Sequence, residues 1–254
     1  MEEKTDIKSF NKEELRLVIG ELGEKKFRAD QMYDWMHVKL ARSFDEMTNI
    51  SKDFREKCKE KFFYMAVELV TVQESKLDGT RKFLFALDDG NVVESVLMRY
   101  KHGNSVCISS QVGCRMGCRF CASTLDGLTR NLRPSEMLDQ IYAISRLIGE
   151  RISNVVVMGT GEPLDNYDNL LKFIRLLTDE NGLHISQRNV TVSTCGIVPN
   201  IYRLADYRQP KQEYVTAFKN KLEKNRINVT IRREMGRDID GACGQLRKRH
   251  LEEN

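Results

Sequence analysis

Apolar residues recur at helical spacing three times within the first 65 positions of the chain. FNKEELRLVIGELG, FRADQMYDWMHVKL and MTNISKDFREKCKEKF each carry one apolar stripe and a polar, mixed-charge remainder. The first stretch stops at Gly23, and the third opens at Ser51, a residue type that caps helix N-termini. The pattern predicts a small helical accessory domain over residues 1–65. Cys58 and His37 fall inside its helical stripes and are read as core residues.

From 66 to 100 the period changes to two. MAVELVTVQES, TRKFLFALDD and VVESVLMRY alternate as strands do, with turn signals at Asp78-Gly79 and Asp89-Gly90. They predict an antiparallel β segment. After residue 103 strands and helices alternate: SVCISSQ, a helix opened by Pro134, Ser135 and Glu136 that runs toward Ile148, NVVVMG, the helix NYDNLLKFIRLLTDE, NVTVSTC, and a short helix after Gly196 and Pro199. Alternating apolar strands and amphipathic helices imply parallel βα units. The regularity breaks at ADYRQPKQEYVTAFKNKLEKN, a linker and a helix, before a last strand, INVTIRRE, and a polar tail. About four parallel strands follow residue 103, too few to close a barrel, which takes about eight. The fold class is α/β, a truncated partial (βα) barrel over residues 101–254.

Composition adds limits. Of 254 residues 41% are hydrophobic, enough for a real core. No run of eighteen apolar residues occurs, and MEEKTDIKSF lacks the apolar stretch of a signal peptide, so a cytoplasmic protein with no membrane partner is expected. The net charge of +4 is mild, but ten Lys or Arg residues lie between Lys219 and Arg249. Such a segment suits a polyanion such as RNA, and also suits a solvated surface. Seven cysteines, odd in number and clustered, point to metal ligation or catalysis rather than to a disulfide framework.

Three of them form Cys114-x3-Cys118-x2-Cys121, in a glycine-containing loop after a strand. Thiolates so spaced can converge on one metal centre, and three of them would leave one iron of a [4Fe–4S] cluster open. A zinc site completed by Cys107 or a distant His is the competing reading, although no second Cys-x2–4-Cys pair is present. Gly159-Thr160-Gly161-Glu162-Pro163 follows a strand directly, and a glycine-rich turn there lets backbone come close to a ligand. Cys107 lies on the strand before the cysteine loop, and Cys243 lies between Gly241 and Gly244.

The cysteine spacing resembles the radical SAM superfamily, and Phe120 fits the aromatic often found before the third cysteine. That resemblance implies a [4Fe–4S] cluster on Cys114, Cys118 and Cys121, with S-adenosylmethionine (SAM) chelating the fourth iron. It further implies Gly161, Glu162 and Ser193 as SAM contacts. The segments CISSQVGCRMGCRFCAS, GLTRNL, VVVMGTGEPLDN, VTVSTCGIVPNI and IRREMGRDIDGACGQL together resemble the bacterial dual-specificity adenine-C2 RNA methyltransferases. The resemblance implies 23S rRNA and tRNA as partners and an electron donor such as flavodoxin. It makes Cys243 the cysteine that carries the methyl group and Cys107 its transient disulfide partner. Glu94 becomes the base that takes the C2 proton, whereas alternation alone makes it a solvent-facing strand residue. The helical region and the basic tail are the expected RNA contacts. One departure is clear: where that family has about three further βα units, this chain is shortened around residues 206–212. A C8-methylating relative and an inactive RNA-binding remnant are the alternatives.

Overall fold

The computed structural model describes residues 4–101, 103–119, 121–207, 246 and 250–251. A two-residue strand β1 (Thr5–Asp6) and a 3-10 turn (Ile7–Ser9) lead into three helices, α1 (Lys12–Glu21), α2 (Lys26–His37) and α3 (Lys52–Lys61). Asn11 and Glu14 form a reciprocal capping box at the start of α1: Asn11 Oδ1 accepts the Glu14 N–H at 2.9 Å, and Glu14 Oε2 accepts the Asn11 N–H at 2.8 Å. Ser51 stands at the N-cap of α3 as expected, but its side chain makes no capping hydrogen bond. Cys58 and His37 are fully buried, as the stripes predict.

Strand β2 (Phe62–Phe63) pairs with β1 and closes the helical part. The meander follows as β3 (Glu68–Glu74), β4 (Arg81–Ala86) and β5 (Val92–Tyr100), with Gly79 and Gly90 at positive φ in its turns. Next come β6 (Gly103–Ile108), a hairpin of β7 (Gln111–Gly113) and β8 (Leu128–Asn131), and the helix α4 (Pro134–Ile148). The described chain continues through β9 (Ile152–Val157), α5 (Tyr167–Thr178), β10 (Val190–Val192) and α6 (Val198–Tyr207). The run SVCISSQ, read as one strand, is thus two, and the polar hairpin partner LTRN gave no strand signal. α6 takes in the first residues of the expected linker. The strand expected at INVTIRRE, the helix before it and the basic tail lie outside the described residues.

One six-stranded sheet has the order β10-β9-β6-β5-β4-β3. β10, β9 and β6 run parallel, and β6 to β3 antiparallel. Register fixes its two faces. Phe83, Phe85, Val93, Leu97, Val106, Ile108, Val155 and Val157 share one core with α4 and α5. The polar side chains of α4 tie the parts together. Gln140 accepts from Ser95 and from the Ser109 N–H, and Glu136, with no exposure, takes a two-pronged ion pair from Arg130 of β8.

Candidate functional site

Because β6, β9 and β10 are parallel, their C-terminal ends meet at one edge, where ligands bind in open α/β sheets. Three loops leave that edge: the cysteine loop after β6, the Gly159–Pro163 turn after β9, and Ser193–Gly196 after β10. The β7–β8 hairpin brackets the cysteine loop. Cys114 donates its N–H to Gly127 O at 2.8 Å, and Gly113 sits at φ +74 so close that a Cβ would fall 2.0 Å from that same oxygen. Only glycine fits. Inside the loop Cys121 N–H donates to Cys118 O at 3.0 Å, and the Thr124 hydroxyl donates to Cys121 O at 2.9 Å.

Cys114 is buried, and Cys118 and Cys121 are half-buried. Phe120 lies outside the described residues. The three thiols share the loop but are not drawn into a closed set: among the described residues no three Cys, His, Asp or Glu side chains stand ready around one metal ion. The donor chemistry nevertheless fits a cluster. Burial raises the Cys114 thiol, a hydrogen bond from the Met116 N–H opposes it in part, and the neighbouring acidic groups, Glu162 among them, raise it further. A cationic centre would relieve that crowding of acidic groups.

Gly161 and Glu162 sit against the start of β7, and Gly159 against the end of β6, rather than in open space. A Cβ on Gly161 would fall 2.5 Å from Gln111 Cβ, and one on Gly159 would fall 2.7 Å from Ser109 Oγ. The glycines thus let the turn approach the protein's own strand ends. Glu162 is buried, donates its N–H to Gln111 Oε1 at 2.8 Å, and accepts from Leu164 N–H at 2.9 Å and Cys195 N–H at 2.8 Å. It braces the second loop against the third. A carboxylate accepts about four hydrogen bonds, so capacity remains for a ligand's amino group. Ser193 donates its N–H to Val157 O at 3.1 Å and is half-buried at the end of β10. Cys195 had no role in the sequence reading. Partial burial and then the Glu162 carboxylate push its thiol up to about 11.

The second sheet face carries the remaining candidates. Lys82, Leu84, Val92, Glu94, Val96 and Cys107 share it by register, with Val96 paired to both Lys82 and Cys107. Glu94 is only 3% exposed and pairs with Lys82 at 3.1 Å, which corrects the solvent-facing alternative. Alternation failed here because this face is covered as well: Leu246 from the C-terminal tail packs on Leu84 and Val92. Cys107, also buried, lies diagonal to Glu94 across the β5–β6 pair, a spacing of about 7–8 Å. Cys243 lies outside the described residues.

Residues 5–63 match the family described as the ribosomal RNA large subunit methyltransferase N-terminal domain, and residues 108–231 match the radical SAM superfamily. The probable dual-specificity RNA methyltransferase RlmN of Lachnospira eligens is 52% identical over 341 aligned positions, covering 98% of this chain and 97% of that protein. Its namesake in Lachnoclostridium phytofermentans is 46% identical, over 98% and 96%. The chain belongs to the RlmN family. A solved radical SAM methyltransferase from Sphaerobacter thermophilus is 38% identical with a TM-score of 0.75, over 82% of this chain and 61% of that one.

Membership of the radical SAM superfamily implies a [4Fe–4S] cluster and SAM, and the described sheet is a partial radical SAM fold. The alignment with the Lachnospira RlmN has 341 positions against 254 residues here, so those relatives carry a stretch that this chain lacks. No helix among the described residues is long and apolar enough to cross a membrane. Nothing in the sequence singles out Lys82, Gln111, Arg115 or Asp165, which the fold brings against the candidate residues. Gln111 and Asp165 are 54 positions apart, and nothing in the sequence pairs them.

Proposed function

We propose that this chain methylates C2 of adenosine in 23S rRNA and tRNA through a methylated cysteine. The observation that carries the reading is the covered sheet face on which Glu94 and Cys107 lie together, beside Leu246 of the tail. In the sequence Cys243 stands three positions before Leu246.

When bound, the cluster and SAM supply the methyl group and the carbon-centred oxidant that removes a hydrogen from it. The chain's own residues do the rest. Cys243 holds the methyl carbon as a thioether while that carbon bonds to C2. Glu94, fixed by Lys82, accepts the C2 proton, and the one electron that must also leave the base would return to the centre that supplied it. Cys107 then attacks the Cys243 sulfur; the S–S bond forms as the S–C bond breaks, and the electron pair leaves with the product carbon, which takes up a proton. Cys114, Cys118 and Cys121 hold the cluster, and Gly161, Glu162 and Ser193 line the SAM side. Residues 1–65 and the basic tail bind RNA phosphates, and a one-electron donor such as flavodoxin serves the cluster in the cytoplasm.

The test is anaerobic reconstitution with iron, sulfide, SAM and reductant, followed by mass spectrometry of nucleosides from 23S rRNA. 2-Methyladenosine is expected; 8-methyladenosine would assign the chain to C8 chemistry. A second reading, an RNA-binding remnant without turnover, is favoured by the stretch absent from this chain relative to the RlmN proteins. RNA binding with no SAM cleavage would establish it.

A further inference from the structure

We propose that Asp165 is a positioning residue which, through Arg115 and Gln111, holds the cysteine loop in register with the Gly159–Pro163 turn. This rests on reading the cysteine loop as the cluster loop.

Arg115 lies between Cys114 and Cys118, and its guanidinium pairs with Asp165 Oδ1. The other Asp165 oxygen accepts from Gln111 Nε2 at 3.0 Å. Gln111 has no exposure, and both its amide donors are used: Nε2 also donates to Asn131 Oδ1 at 2.7 Å, while Oε1 accepts the Glu162 N–H at 2.8 Å. One buried amide thus joins the hairpin at the base of the cysteine loop, the turn at Glu162, and the carboxylate that grips the loop from outside. An ion pair between two exposed side chains is worth little. Here the Asp165 side chain is only 9% exposed and already fixed by Gln111, while the Arg115 side chain is 64% exposed. Only the arginine must be ordered to close the contact. Three cysteines place the cluster on one loop and the ligand-facing turn is on another, so their separation depends on such a tether. A second, weaker link joins the same two loops, with Ser123 Oγ 3.5 Å from Thr160 Oγ1.

The full-length chain and its Asp165→Asn, Arg115→Ala and Arg115→Lys variants would be reconstituted anaerobically. Three quantities are read: iron per chain, the SAM concentration that half-saturates the change in the electron paramagnetic resonance spectrum of the reduced cluster, and the alkylation rate of Cys118 in iron-free protein. Iron content is expected to match the unaltered chain in all variants. Half-saturation should rise about tenfold for Asp165→Asn and Arg115→Ala and stay near the original for Arg115→Lys. Cys118 in iron-free Arg115→Ala should react about tenfold faster, because the loop opens more often. Unchanged half-saturation in iron-replete variants overturns the proposal. So does loss of iron in step with a lower melting temperature, which marks a merely structural role. If the unaltered chain takes up no iron, the cluster reading falls, and the alkylation rates alone decide whether Arg115 tethers the loop.

Discussion

Lys8 and Asp139 form an ion pair 2.7 Å long in which neither side chain has any exposure. It joins the turn before α1 to the middle of α4, so the helical region and the βα core share a buried charge pair. Asp139 also accepts the Val67 N–H at 2.7 Å, and the Lys8 ammonium lies 4.7 Å from the centroid of the Tyr64 ring. Removing Lys8 leaves the buried Asp139 carboxylate with Arg146, 3.7 Å away, as its remaining ion-pair partner among the described residues. Lys8→Met is therefore expected to lower unfolding free energy by about 3–5 kcal/mol. Asp139→Asn in the same chain should restore part of the loss, since the amide keeps an acceptor for Val67. Urea midpoints of the single and double variants measure both.

His37 stands next to this pair, fully buried, with Nδ1 2.7 Å from the Tyr142 hydroxyl. Burial, and then the charge of Lys8, lower its pKa from 6.5 to about 3. Below pH 6.5 the unfolded chain takes up a proton that the folded chain refuses. Stability contributed by the neutral ring is complete above pH 6.5 and is lost as pH falls toward about 3, at about 1.4 kcal/mol per pH unit. Between pH 7 and pH 5, His37→Gln should lose about 2 kcal/mol less stability than the unaltered chain. Denaturant titrations at the two pH values check it; equal slopes would show that His37 reaches water before global unfolding.

What the sequence made legible was local. The helical stripes, the meander turns at Gly79 and Gly90 and the cysteine spacing each lie within about fifteen residues, the range over which period and turn chemistry act. What it hid was long-range. Alternation in VVESVLMRY assigns Glu94 to water because it assumes one covered face, and the second face is covered by Leu246, some 150 residues later. Gln111 looks like any polar residue at a strand end, and its importance arises only where the parallel strand β9 brings Glu162 and Asp165 beside it. Ser51 shows the opposite failure: the right residue type at the right position, with no hydrogen bond made.

The Lys82–Glu94 pair gives a prediction that separates position from charge. Both side chains are buried, at 1% and 3% exposure, and 3.1 Å apart on neighbouring strands. If Glu94 accepts the C2 proton, its carboxylate must be held toward the base, and among the described residues Lys82 pairs with it. Lys82→Met should reduce 2-methyladenosine formation by about 100-fold, the range expected for loss of a positioned general base. SAM cleavage without RNA should be unaffected, because it requires no proton from C2. A parallel fall in both rates would show that Lys82 maintains the sheet rather than the base.

Cys107 carries the most specific prediction of the proposed chemistry. It is buried on β6, on the face it shares with Glu94, and pairs in register with Val96. Release of product requires a second sulfur, because the carbon joined to C2 is still bonded to Cys243. With Cys107→Ala that bond has no thiol to break it, so RNA should remain attached to the protein after one turnover. A thioether survives reducing agents, and the adduct should therefore persist on a denaturing gel in excess dithiothreitol. Nuclease digestion should leave one adenosine-derived mass on the peptide containing Cys243. Adding Cys243→Ala should abolish the adduct, since nothing then carries the methyl group. Free 2-methyladenosine made at the original rate by Cys107→Ala would mean that another group opens the bond, and Cys195 or a solvent thiol would have to be tested in its place.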